Sequence, residues 1–494
     1  MGEIFKQSAK SSIYIYLGVL IGFITTGILY PKLLTAEEIG LINVLIGYSV
    51  IIAKLGGLGM QQVTTRLFPY FREEKNKHHG FLFIVILVTA GGFLLISVLY
   101  AFLRDTLVSM GEQESGMFGK YVDFILPLIL FSMLFNIFDT YYKVLYNAVK
   151  GTFYQEVVKR IFVLLAILAY YFNLFDFSGF VYSYVLAAAV PFLALLLSLK
   201  FSGKLYLKPE FSFLNRKLKK EIMDVGLFGI LAGTSGIFVV HIDKIMVLNL
   251  TNSLGDTGIY SIAFFFGSLV HKPAKAVMKI SSVFISEAWK NNRLSEIKNL
   301  YKKSAINQSL LGLILLIGLI VNLDNIFQFL PKDYSEGRYV ILIIAIAFMI
   351  DMGSGVNGQI INTSKYYRWQ TYLLLILLVS VVVFNWLLIP IYGITGAALA
   401  TLISKTLFNL SKFLFIYVKW KMQPFDVAFL KIFTAGIIAL AVGWFFPQMQ
   451  NYIVDTIVRS TLTLAAYGFS VLILRPSVDV EYWLKKFKDK YFGK

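Results

Sequence analysis

The chain has 494 residues, 57% of them hydrophobic and only 15% charged, with a mean hydropathy of +0.72. Soluble domains carry about 25% charged residues, so this composition excludes an ordinary water-soluble globule and points to a protein built for lipid. Lys and Arg number 46 against 28 Asp and Glu, a net charge of +18, and the absence of cysteine excludes disulfides, thiolate metal sites and a cysteine nucleophile.

At the N-terminus, Lys6 and Lys10 precede an apolar stretch that continues to Tyr30. It outruns the apolar core of a signal peptide and no small-residue cleavage site follows, so it reads as an uncleaved first span. A hydrocarbon core about 30 Å thick takes roughly 20 apolar residues in helix. Segments of that size recur at 12–30, 40–65, 81–103, 121–142, 159–175, 177–199, 223–248, 258–285, 305–323, 337–361, 370–390, 393–418, 428–446 and 453–474. Backbone polar groups in lipid must pair within each segment, so the expected fold is an all-α integral membrane protein of about fourteen transmembrane helices.

The basic residues gather in the tails and in the loops after even-numbered spans, with seven in 200–222, whereas 249–257 and 447–452 have none. Positive loops stay in the cytoplasm, so both termini are expected there, and nucleic acid is set aside as a partner. The basic stretch 201–222 divides the chain. It separates a first body, 1–200 with spans one to six, from a second, 223–419 with spans seven to twelve; spans thirteen and fourteen and a basic tail fill 420–494. An internal echo supports a duplication: LLTAEEIGLINVLIG joins spans one and two, and NLTNSLGDTGIYSIAFFFG joins spans seven and eight. Transporters are often built from such repeats.

Ionisable residues inside spans cost about 2.5–3.5 kcal/mol each on insertion scales and by default suggest function. Lys54 stands in mid-span two before the run Gly56-Gly57-Leu58-Gly59. It is a candidate cavity residue, or one half of a buried pair with Asp139 of span four. Asp139 and Lys143 are four apart and could instead pair with each other. Span seven carries Asp243 and Lys244, whose side chains must find different partners because adjacent helix positions do not face one another. Gly226, Gly229, Gly233 and Gly236 share the face of Lys244, as helix-packing positions or as the wall of a cavity. In span eight, Lys272, Lys275 and Lys279 fall within an arc of roughly 60° at about 100° per residue. Three ammonium groups on one face repel each other unless water or an anion compensates; the alternative is that they snorkel to the headgroups or balance acidic groups elsewhere. Asp351, in the small polar stretch MIDMGSGVNGQ of span ten, is a candidate ion or proton carrier, with capping or pairing to a lysine as the alternative. His241 and His271 read as packing residues. No acid pair, HExxH, nucleophile elbow or Walker loop stands out, so no catalytic residue, metal or cofactor is expected; any energy would come from an ion gradient, membrane potential or substrate flux.

YPKLLTAEEIGLINV, KLGGLGMQQVTTRLFPYF and HIDKIMVLNLTNSLGDTGIYSIAFFFG resemble the polysaccharide-transporter branch of the multidrug/oligosaccharidyl-lipid/polysaccharide exporter superfamily. The resemblance implies two pseudo-symmetric six-helix lobes around a central cavity that opens alternately to the two sides, plus two extra C-terminal helices. It implies a flippase, not an enzyme, that moves undecaprenyl-diphosphate-linked oligosaccharide repeat units to the outer leaflet of a bacterial inner membrane. Such units serve O-antigen, capsule or similar glycans; membrane lipids, a glycan polymerase and glycosyltransferases would be its partners. A cation-coupled drug or metabolite antiporter of the same superfamily is the alternative, although spans one and two lack Asp and Glu. A polysaccharide polymerase or ligase is a third, disfavoured by the short outer loops. Lipid II flippases share the fourteen-span plan.

Overall fold

The computed structural model describes residues 2–111 and 116–477, with side chains for all of these except 2–6, 8, 9, 110, 111, 231–236, 275, 276, 279 and 280. Every regular element among the described residues is helical. Two compact units divide the chain, Met1–Ser261 and Ile262–Lys494.

The first unit contains α1 (Gly2–Gly22), which continues through a π-helical segment, Phe23–Leu29, into a last turn, Tyr30–Leu33. Next come α2 (Ala36–Gly56), α3 (Met60–Phe71), α4 (Phe81–Gly111) and α5 (Ile125–Val144). A short helix, Val149–Phe153, and a second π-helical segment, Tyr154–Val158, lead into α6 (Lys159–Tyr171). α7 (Phe177–Phe201), α8 (Arg216–Thr251) and the start of α9 (Leu254–Ser268) complete the unit. α2 forms its centre. Leu41, Val44, Leu45 and Ala53 pack with Ile125, Ile129 and Met133 of α5 and Leu248 of α8 in one core cluster, while Phe68, Phe71, Phe81 and Tyr141 form a second.

The second unit contains α10 (Ala274–Lys290), α11 (Leu294–Val321), α12 (Arg338–Gly353), α13 (Asn357–Thr363), α14 (Tyr367–Trp420), α15 (Val427–Phe445) and α16 (Tyr452–Leu474). Its core joins Leu313 and Ile317 of α11 to Ala345 of α12 and Ile432, Ala435 and Ala439 of α15.

Nine helices among the described residues are long and apolar enough to cross a membrane, and one pair bent by 51° makes a tenth. All fourteen expected segments nevertheless lie on helical backbone, and the difference has local causes. Spans eleven and twelve share α14, whose 54 residues are interrupted at Gly393 (φ 56°, ψ −138°). Beyond that point Gly396 lies against the backbone of Leu388 and Ile389, which a continuous helix would hold about 12 Å away. Span eight breaks between α9 and α10 at Leu269–Pro273, span ten breaks between α12 and α13, and π-helical backbone lies within span one and just before span five. These are positions where polar groups enter the helical stack.

The echoed turns meet. Thr35 caps α2, accepting from Glu38 N (3.2 Å) while the Glu38 carboxylate accepts from Thr35 N (2.9 Å), the reciprocal arrangement of a capping box. Ser253 stands in the same place before α9 and accepts from Asp256 N (3.1 Å). Gly40 and Gly258 are each the fifth residue of their helix. A side chain on Gly40 would strike the Leu254 carbonyl, and one on Gly258 would strike the Ala36 carbonyl. The first residue of each helix thus sits against the fifth of the other. The structural equivalence pairs Thr35 with Ser253, two residues later than the Leu-Thr match in the sequence.

Candidate functional site

Lys54 lies in the last turn of α2, just before left-handed backbone at Leu58 (φ 45°) and Gly59 (φ 70°) turns the chain into α3. Its ammonium donates to Gln61 Oε1. Gln61 Nε2 in turn reaches Asn136 Oδ1 (3.1 Å) and Thr140 Oγ1 (3.4 Å) on α5. The charge is therefore spread over an amide and hydroxyl relay, in a pocket also lined by Thr89, Gln62 and Gly229. Asp139 pairs with Lys143, and Gly151 leaves room for its carboxylate. Gly226 and Gly229 of α8 pack against the Leu58–Gly59 turn and Gln62, so both serve close helix contact.

On α8, Asp243 is 1% exposed and accepts from Tyr260 Oη (3.1 Å). Lys244 points elsewhere and donates to Asn43 Oδ1 of α2 (2.6 Å). Lys272 is partly buried at the break of span eight, where its backbone N donates to Leu269 O. The side chains of Lys275 and Lys279 lie outside the described residues.

In the second unit, Asp351 of α12 accepts from Lys405 Nζ (3.0 Å) and Asn409 Nδ2 (3.0 Å), both on α14. His271 Nε2 lies 3.6 Å from the same carboxylate, and Asn357 donates to Asn409 (3.2 Å). Lys405 also sits over the Phe348 ring at 4.5 Å, and Lys412, 4% exposed, over Phe408 at 4.0 Å. A carboxylate with a fixed ammonium already on it is a filled cation site.

The sequence reading passed over a third constellation. A cavity of about 240 Å³ in the first unit is lined by Gly22, Thr25 and Thr26 of the first span, Asn43 of α2, Gln155, Glu156, Lys159 and Arg160 at the entry of α6, and Tyr184 of α7. Lys159 and Arg160 are the first two residues of span five as the sequence delimits it, and basic residues at a span edge serve as topology signals. The signal that could have found them is paired spacing. Gly18 and Gly22 are four apart on α1, as are Glu156 and Arg160 on the facing helix, and the glycines give those two side chains their room.

No known family profile matches the chain. An uncharacterized membrane protein of Methanocaldococcus jannaschii is 19% identical over 470 residues, 90% of each chain. The solved structure of the lipid II flippase MurJ in an inward closed conformation aligns with a TM-score of 0.75 at 16% identity, over 94% of this chain and 98% of that one. The fold is that of the MurJ and MATE transporters. An inward-facing multidrug resistance MATE transporter of the MOP superfamily gives a TM-score of 0.64 at 13% identity, over 83% of this chain and 94% of its own. A MOP superfamily transporter from Pyrococcus furiosus, described as having a binding pocket of reverse polarity that suggests a different function, gives 0.57 at 15%, over 84% and 95%.

On this MurJ- and MATE-type fold the buried ionisable groups do three kinds of work. Asp139, Asp243 and Asp351 have their charge answered by neighbours within their own unit. Lys54 and Lys244 each donate to an amide oxygen, of Gln61 and of Asn43. Lys159 and Arg160 face a cavity. Cations positioned in a poorly screened interior attract an anionic group and can replace part of its hydration.

Proposed function

We propose that the chain is an alternating-access transporter that flips a polyprenyl-diphosphate-linked oligosaccharide from the cytoplasmic to the outer leaflet of the cytoplasmic membrane, for a surface polysaccharide. The observation that carries this reading is the positive interior of the spans. Lys54, Lys159 and Arg160 in the first unit stand among apolar helices, and among the described residues neither Lys54 nor Lys159 forms an ion pair. An anionic head group must leave water to cross, and fixed ammonium groups lower that cost. The likeness to a lipid II flippase over nearly the whole chain supports the same reading. Spans one to six and seven to twelve would act as the two lobes, spans thirteen and fourteen would lie outside them, and both termini would be cytoplasmic. Lys54, Lys244, Lys272, Lys275 and Lys279 would attend the diphosphate or acidic sugars, with a glycan polymerase and glycosyltransferases acting on either side of the step.

A coupled antiporter is the second reading, favoured by the MATE likeness. It calls for a carboxylate free to exchange a cation or proton. Asp351, the best placed, already holds Lys405 and Asn409. Proteoliposomes containing the full chain decide between the two. Flipping of a fluorescent polyprenyl-diphosphate saccharide without an imposed cation gradient is the expected result. Drug efflux driven by a proton or sodium gradient, with no lipid flipping, would overturn it.

A further inference from the structure

The cavity at the entry of α6 has features that helix packing does not explain. π-Helical backbone makes up well under 1% of residues and, where it interrupts a helix, is frequent at functional sites. Two such segments occur among the described residues, Phe23–Leu29 and Tyr154–Val158, and both contribute lining residues to this one cavity, through Thr25, Thr26, Gln155 and Glu156. The widened turn before α6 accompanies a second departure from ordinary helix geometry. Neighbouring side chains on a regular helix face different ways, yet Lys159 and Arg160 both line this space.

The two cations are differently placed. Arg160 donates to Glu156 through Nε (3.2 Å) and Nη2 (2.9 Å), both to the same oxygen, Oε2. A guanidinium often spreads two parallel bonds over both oxygens of a carboxylate; here one oxygen takes both. Lys159 lies 5.8 Å from the Tyr184 ring centre and forms no ion pair among the described residues. The cavity therefore carries one ammonium that forms no ion pair among the described residues, a guanidinium whose counter-ion is Glu156 of the preceding turn, and the polar side chains of Thr26, Gln155 and Tyr184. Lys244 adds a further positive charge behind the wall, through its bond to Asn43.

We propose that this cavity is a phosphate seat, in which Lys159 and Arg160 hold the diphosphate of the transported lipid while Glu156 is displaced from the guanidinium. The assignment rests on the flippase reading for the identity of the lipid; the anion chemistry follows from the cavity alone. Glu156 acts as a stand-in anion. It keeps Arg160 compensated when the seat is empty, and competition from it keeps binding reversible, as a carrier needs.

The test is equilibrium binding to the full-length detergent-solubilised protein, with farnesyl diphosphate, inorganic pyrophosphate and farnesol as probes. Farnesyl diphosphate is expected to bind and farnesol not to. Pyrophosphate binding as tightly as the prenyl ester supports a seat for free phosphate; pyrophosphate binding much more weakly supports a seat for the lipid head group. Lys159→Met should weaken binding about ten- to hundredfold, the worth of one hydrogen bond to a charged group, and Lys159→Arg should restore most of it. Glu156→Gln should tighten binding severalfold by freeing Arg160, a gain that a purely structural ion pair would not produce. Unchanged affinity in a well-folded Lys159→Met protein, or weaker affinity in Glu156→Gln, would overturn the seat. Flipping of a prenyl-diphosphate saccharide in proteoliposomes separates this failure from failure of the transport reading. Binding without flipping removes the substrate reading and leaves the seat; flipping with unaltered binding in Lys159→Met removes the seat alone.

Discussion

Arg160 in α6 and Arg459 in α16 both bind a carboxylate four residues earlier on their own helix, and the two pairs have opposite designs. Arg459 grips both oxygens of Asp455, through Nε (2.9 Å) and Nη2 (3.0 Å), and its Nη1 caps the carbonyls of Gly443 (2.6 Å) and Phe446 (3.1 Å). Asp455 also accepts from Asn325 Nδ2 (2.5 Å) and Met449 N (3.0 Å) and is fully buried. The Asp455 carboxylate and the Arg459 guanidinium are both answered by the protein, so the charge serves to fasten α15 to α16. Arg160 shares one oxygen of Glu156, its side chain is 38% exposed, and its neighbour Lys159 forms no ion pair among the described residues. Two helical ion pairs of identical spacing thus differ in what surrounds them. A closed network marks structure; an open one beside a cavity marks a place kept for something else.

The sharpest way to break that comparison is to remove each arginine and read the same quantity, thermal unfolding of the solubilised protein. Arg459→Met leaves Asp455 buried and uncompensated and should cost about 3–5 kcal/mol, visible as a large fall in Tm and in the amount of protein reaching the membrane. Lys405→Met tests an intermediate case. Asp351 keeps Asn409 but loses its ammonium, which should cost roughly 1–3 kcal/mol, and the double variant Lys405→Met with Asp351→Asn should recover more than half of that loss. If the double variant is as unstable as the sum of its parts, the two residues do not act as a pair. Arg160→Met should be the mildest, within about 1 kcal/mol for a pair this exposed. A fall as large as that of Arg459→Met would make both pairs structural and erase the distinction.

The spans were legible because lipid imposes a length and a polarity that composition alone reveals. Breaks in the spans were only partly so. The boundary between spans eleven and twelve, set at 390 and 393 beside Pro390, falls on the break at Gly393, whereas the interruption of span eight at Leu269–Pro273 lies inside a segment read as one span. Lys54 stood out as a lone charge in mid-span, but its partner is Gln61, a residue that periodicity does not flag, instead of Asp139. Asp351 was visible by itself, while its partners Lys405 and Asn409 lie 54 and 58 residues away, a separation that encodes no contact. Lys159 and Arg160 were hidden by the positive-inside rule itself. Basic residues at a span edge satisfy that rule whether they meet head groups or a cavity, and only the packing of α1 against the π-helical turn separates the two.

The meeting of Gly40 with Leu254, and of Gly258 with Ala36, has the form of contact that two copies of one chain make about a dyad, residue i against j and j against i. Within a single polypeptide it behaves as a homodimer interface sewn shut. Its sequence constraint therefore comes in twos. Neither glycine can be changed alone without forcing the first turns of α2 and α9 apart. Once one methyl group has separated them, the second enters space already opened, so the cost of both together falls short of the sum. A position in one half of the chain is thus held to glycine by its own counterpart in the other.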